Sequence, residues 1–187
     1  MNQQVKVKAV PVNGLVEFVE RELTPQQIQS VLAKMPPEEG RYFTGHLLAH
    51  EQVPLAAVNR YTRLAAQERG EAVTTFAERA GRFGAKQGLK TVYKFILLMI
   101  SPEAALKKAP LMWSRVYDSG EMSVESEQGH AFIHIRNFAP DEAGCGRITG
   151  WFETIGEATG AKSMTVSHAK CAAHGASECV WEFTWKP

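Results

Sequence analysis

The stretch SRVYDSGEMSVESEQGHAFIHIRNF, residues 114–138, is where the hydrophobic pattern of this chain changes period. Its two runs, SRVYDSGEMSVES and HAFIHIRNF, alternate apolar with polar side chains across a short polar link, which predicts a β-hairpin. FAPDEAG then reads as a loop. In GRITGWFETIGEATG, residues 146–160, the side chains Ile148, Trp151, Phe152 and Ile155 fall at i, i+3, i+4 and i+7, a helix with one apolar face stopped by Gly160. Two further strands follow, SMTVSHAK and ECVWEFTW. In the second, Cys179, Trp181, Phe183 and Trp185 share one face, while Val180, Glu182 and Thr184 share the other. The C-terminal half therefore reads strand, strand, helix, strand, strand.

Upstream the pattern is helical. Asn13 is expected to cap VEFVE, and Thr24 before Pro25 places an N-cap residue ahead of a proline at the first helical position, with Pro36 and Pro37 closing the run. Residues 54–69 carry Ala57, Tyr61, Leu64 and Ala65 at helical spacing, and Gly70 ends them. Residues 71–90 set Val73, Phe76, Ala80 and Phe83 on one stripe, with Gly81, Gly84 and Gly88 suited to close helix packing. SPEAALKK at 101–108 has the Ser cap, early Pro and charge polarity of a short helix. The expected class is α+β, a helical layer packed on an antiparallel sheet. Residues 1–110 form the helical region and 111–187 the sheet region, together one domain over 1–187.

Composition narrows the functions. The chain has 187 residues, 44% of them hydrophobic and 22% charged, enough to own a core without a metal. Twenty-one Lys and Arg against 20 Asp and Glu leave a net charge of +1, with no basic stripe, so nucleic acid is not expected as a direct partner. The start lacks a secretory apolar run, and FILLMI at 95–100 is far short of the roughly 20 residues that span a bilayer. The reading is a soluble cytoplasmic protein. In a reducing compartment three cysteines point away from a disulfide framework and toward metal binding, redox chemistry or burial.

Two of those cysteines lie in SHAKCAAHGASECVW, residues 167–181. His168 ends one predicted strand, Cys171 begins the turn and Cys179 starts the returning strand. Cys145 stands just before the apolar helix, where a helix N-terminus favours a thiolate. Zinc prefers four such ligands in a tetrahedron, and Cys145, His168, Cys171 and Cys179 supply them. Their spacing is not that of a zinc finger. Buried cysteines with a surface histidine, a Cys171–Cys179 disulfide and a Cys171–His174 nucleophilic pair remain alternatives, and His174 rivals His168 as fourth ligand.

The C-terminal segment GWFETIGEATGAKSMTVSHAKCAAHGASECVWEFTW resembles the vinyl-4-reductase (4VR) domain family, whose members end in a helix, a strand and a cysteine hairpin running into an aromatic strand. It is similar also to the sensor domain of phenol-responsive enhancer-binding regulators. There three cysteines and a glutamate hold zinc, and by spacing those cysteines fall on Cys145, Cys171 and Cys179, with His168 in the glutamate's place. Residues 10–126 further resemble a conserved myxobacterial family carrying that domain. The resemblance implies the fold of the small TRAPP tethering subunits, commonly dimeric, and zinc as cofactor.

Several other residues are candidates. Tyr93, Phe95, Trp113, Phe132, His134, Trp151 and Phe152 are expected to line a pocket for a small hydrophobic ligand between helices and sheet, or else to fill a core. His46 and His50 in HLLAH lack the glutamate of a metalloprotease motif, and of His130 and His134 one could face the helices. No nucleotide-binding or hydrolase motif appears. The expected function is a non-enzymatic sensory or regulatory module that binds a small molecule and carries a structural zinc. The alternative is a homodimeric scaffold without ligand. Four protein ligands leave a zinc hydrolase no open position. The large helical hydrophobes Phe18, Leu47, Leu48, Tyr61, Leu64, Phe76, Phe83 and Leu89 predict a homodimer joined through residues 12–90.

Overall fold

Thr24 shows how closely local chemistry shapes this chain. Its hydroxyl accepts from the Gln27 amide while the Gln27 side chain accepts from the Thr24 amide, a reciprocal cap that starts α2 (Pro25–Ala33). The computed structural model describes residues 5–89, 101–138 and 141–186. Ahead of α2, β1 (Lys6–Lys8) leads into α1 (Ala9–Glu22). After it come α3 (Pro37–Gly40), β2 (Gln52–Pro54), α4 (Leu55–Arg69) and α5 (Val73–Gly88). Two short helices follow, α6 (Pro102–Leu106), capped by the Ser101 hydroxyl, and α7 (Ala109–Val116).

The C-terminal half is β3 (Glu121–Glu127), β4 (His130–Arg136), α8 (Glu142–Ala158), β5 (Lys162–Lys170) and β6 (Cys179–Lys186). All pairings are antiparallel, in the order β3-β4-β6-β5. The expected α+β arrangement, a helical layer on an antiparallel sheet, is the one observed. Ala131, Ile133 and Ile135 of β4 and Cys179, Trp181, Phe183 and Trp185 of β6 all point inward against α8, so the period-two reading of both strands holds. The small β1–β2 ladder lies at the other end, and Val7 bridges Tyr117.

Two hydrophobic clusters result. One is made by α1, α2, α4 and α5 around Phe18, Tyr61 and Phe76, the other by α8 and the sheet around Phe152, Trp181 and Phe183. Tyr117 and Phe138 pack against both. They form with Trp113 an aromatic trio whose ring centroids lie 4.2, 4.8 and 5.1 Å apart.

Between α5 and α8 the packing is set by missing side chains. A Cβ at Gly150 would lie 2.0 Å from the Glu78 carbonyl oxygen, and one at Gly81 would lie 2.1 Å from that of Arg147. Only glycine permits that approach. Arg147 then crosses to α4 and donates to the Thr62 hydroxyl and the Asn59 side-chain Oδ1, both at 2.6 Å. Burial lowers its pKa.

Several local expectations are corrected. Asn13 does not cap a helix: α1 begins four residues earlier, and the Asn13 side chain bonds the Leu47 backbone and His46 instead. His46 and His50 lie in a turn, not on a helix face. Residues 114–116 belong to α7, so the change of period falls at Glu121. Of the hydrophobes that called for a dimer, Phe18, Leu47, Tyr61 and Phe76 are buried within the chain's own core, and Leu48 is the large exposed one. Among the described residues no helix is long and apolar enough to cross a membrane.

Candidate functional site

Cys145 sits in the first turn of α8, one step deeper than the sequence suggests, because Asp141 caps the helix by accepting from the Ala143 amide at 2.9 Å. Cys145 is buried and faces the β5–β6 hairpin. There the chain leaves β5 at Lys170, passes through a short 3-10 turn at Ala172–His174 and reverses at Gly175, whose φ of 93° favours glycine. This reversal brings Cys171 and Cys179 together with His168, two residues before the end of β5.

The ligand atoms of Cys145, His168, Cys171 and Cys179 all lie within 4.8 Å of one another. A tetrahedral ion bound at about 2.0–2.3 Å to each would need them a little closer, roughly 3.5 Å apart, a contraction that side-chain rotation supplies. All three cysteines are free thiols. His174 is exposed and outside the group, so of the two rival histidines the structure gathers His168.

The surroundings orient these donors. The Ala172 amide donates to the Cys179 sulfur at 3.4 Å. His168 stacks on Trp181 at 4.1 Å and 7°, and its Nε2 is buried without a hydrogen-bond partner. Trp181 in turn donates from Nε1 to the Thr149 hydroxyl at 2.8 Å, and Thr149 donates to the Cys145 carbonyl at 3.0 Å. The hairpin and the helix are thus tied by one chain of bonds. The hydrogen bond from Cys145, with a further contribution from His168, pushes the Cys179 thiol well below its ordinary value. The same contact and burial raise that of Cys145. A cavity of about 250 Å³ opens beside the pair, with Glu78, Glu142, Glu153 and His174 on its wall.

Of the residues expected to line an apolar pocket, the five described ones divide between the two faces of the sheet. Trp113 is buried in the aromatic trio, Phe152 packs on Trp181 and Phe183, and Trp151 is half-buried beside Phe152. Phe132 and His134 point to the opposite face of the sheet, where His134 meets Glu178 at 3.1 Å and His130 meets Glu182 at 2.9 Å. Tyr93 and Phe95 lie outside the described residues. Sequence reasoning missed Thr149 and Trp181 as supports of the cluster. Thr149 lies four residues after Cys145, one helical turn on, which is the signal that could have found it.

No family model and no curated protein matches the chain. Solved structures do, and they are H-NOX proteins. One is an H-NOX protein from S. oneidensis in the Fe(II)NO state, 12% identical, with a TM-score of 0.73 over 96% of this chain and 99% of that one. A mutant H-NOX protein from K. algicida is 9% identical with a TM-score of 0.70, covering 96% and 97% of the two chains. An oxygen-binding H-NOX domain related to soluble guanylate cyclases is 11% identical with a TM-score of 0.69, covering 96% and 95%.

The fold is accordingly that of H-NOX proteins. This corrects the resemblance to the vinyl-4-reductase family and the TRAPP subunits, and with it the zinc expected as cofactor: proteins of this fold are described in heme and Fe(II) states. Heme is not what the cluster suits, because three thiols and an imidazole converging on one point leave no room for a macrocycle between them.

Proposed function

We propose that this chain is a non-enzymatic sensory or regulatory module whose operative centre is the group Cys145, His168, Cys171 and Cys179, closing around one soft metal ion. The observation that carries this reading is the convergence of four donors from a helix and a hairpin on one point. Thiolates and imidazole are soft to borderline donors and select thiophilic transition metals over hard cations. Four protein ligands leave no open coordination position, which favours a structural or signalling role over hydrolysis. H-NOX proteins of the same fold include an oxygen-binding domain related to guanylate cyclases, which supports sensing.

A small ligand has room beside the cluster. That cavity carries carboxylates and suits a small polar or cationic molecule better than the apolar ligand expected from the aromatic residues. A homodimer through residues 12–90 would rest on Leu48, which is exposed, and on the half-buried Leu64, Phe83 and Leu89, since Phe18, Leu47, Tyr61 and Phe76 are buried within one chain.

The test is elemental analysis of reduced, folded protein. About one equivalent of a transition metal is expected, with Cys179→Ser losing most of it and His174→Ala retaining it. Folded wild-type protein without metal, unable to take up cobalt(II) with thiolate charge-transfer absorption, would sink the reading.

A further inference from the structure

We propose that this chain keeps the H-NOX fold without a heme. Heme iron needs an axial donor, ordinarily a histidine nitrogen, a cysteine or methionine sulfur or a tyrosine oxygen, and the porphyrin needs a flat slot in front of that donor. The described histidines, the cysteines and the buried Tyr61 do not supply both together.

The histidines are accounted for one by one. His46 and His50 are exposed in the turn before β2, and His174 is exposed in the hairpin turn. His130 and His134 occupy the face of the sheet turned away from α8, each against a glutamate. His168 has Trp181 flat against its ring and the three sulfurs around its donor atoms. A porphyrin centred on its nitrogen would have to displace all three cysteines. The same crowding applies to each thiol.

One buried oxygen invites a partner. The Tyr61 hydroxyl is buried without a hydrogen bond, and burial raises its pKa. Yet its ring stacks on Phe43 at 4.1 Å and 6° inside the helical core, which covers the face a porphyrin would need.

Among the described residues no flat slot opens either. Where helices meet the sheet, Trp113, Tyr117 and Phe138 fill the space with rings in mutual contact. Two cavities, of about 250 and 240 Å³, lie in the groove of α5, α8 and β5. Sites for drug-sized ligands, which are smaller than heme, run from roughly 300 to 1,000 Å³. Residues 90–100, outside the described set, read KTVYKFILLMI and add neither histidine nor cysteine. Their side chains able to meet iron are Tyr93 and Met99, and the test below reads them too.

This inference is independent of the ion proposed for the cysteine cluster, since elemental analysis reads one and the porphyrin Soret band the other. The full chain is expressed with added iron and 5-aminolevulinate, purified, and then titrated with hemin in ferric and dithionite-reduced forms. Near-ultraviolet circular dichroism establishes that the aromatic core is packed. The expected result is no Soret band in the purified protein, no break at one equivalent of hemin, and complete transfer of added hemin to apomyoglobin. A break at one equivalent with a shifted Soret band, or a sharp ferrous-CO band retained against apomyoglobin, overturns the proposal.

Discussion

Helix α8 meets the rest of the chain in two ways within a few turns. Its middle turns press Gly146 and Gly150 against α5 until backbone touches backbone, and α5 answers with Gly81. Its first turn presents Cys145 to a hairpin whose donors stand slightly apart, one of them with a buried nitrogen lacking any partner. The first contact is complete as it stands; the second has unmet bonding capacity. The contrast places Cys145 on the better-anchored side: the glycine contacts hold α8 close against α5, so any closing of the group falls to the hairpin.

Three changes test that contrast. The largest effect is expected from Gly150→Ala, whose methyl would run into the Glu78 carbonyl; denaturant unfolding should show a loss of about 3 kcal/mol or more. A loss under about 1 kcal/mol would mean that the helices part easily and that α8 is not held rigid. Arg147→Met removes the cation that joins α8 to α4, leaving Asn59 and Thr62 without their donor. About 2 kcal/mol should be lost, and a neutral outcome would show that the arginine is incidental to the joint. The smallest effect belongs to Gly84→Ala on the same α5 helix, where a Cβ meets nothing within 4 Å. Stability should rise by up to about 1 kcal/mol through helix propensity alone. A fall would place a close neighbour there.

The strands and α8 were legible in the sequence because their apolar positions repeat at two and at 3.6 residues without interruption. Cys179, Trp181, Phe183 and Trp185 name their own face. The four donors were legible too, since a turn between two strands must return Cys179 to the neighbourhood of His168. Other features were not. β1 and β2 are three residues each, too short for a period to register, and Asn13 looks like a cap until its real partners, distant in sequence, are known. The aromatic residues misled for a similar reason. Phe132 and Trp113 are both large and apolar, and only the pairing of β4 with β6 shows that they lie on opposite faces of the sheet. Family assignment failed although it drew on the C-terminal segment and on residues 10–126, because a helix, a strand and a cysteine hairpin running into an aromatic strand are local features that do not determine the arrangement of the whole fold.

The order β3-β4-β6-β5 also has a consequence in time. Each hairpin, β3–β4 and β5–β6, is local and can close within microseconds, whereas the β4–β6 seam that pairs Ile135 with Cys179 must wait until α8 and β5 have been traversed. Three of the four donors arrive together with the second hairpin, and Cys145 joins them only as that seam forms. During synthesis the four-residue group is therefore completed late, and an ion held there, as proposed, would mark a chain that has finished folding.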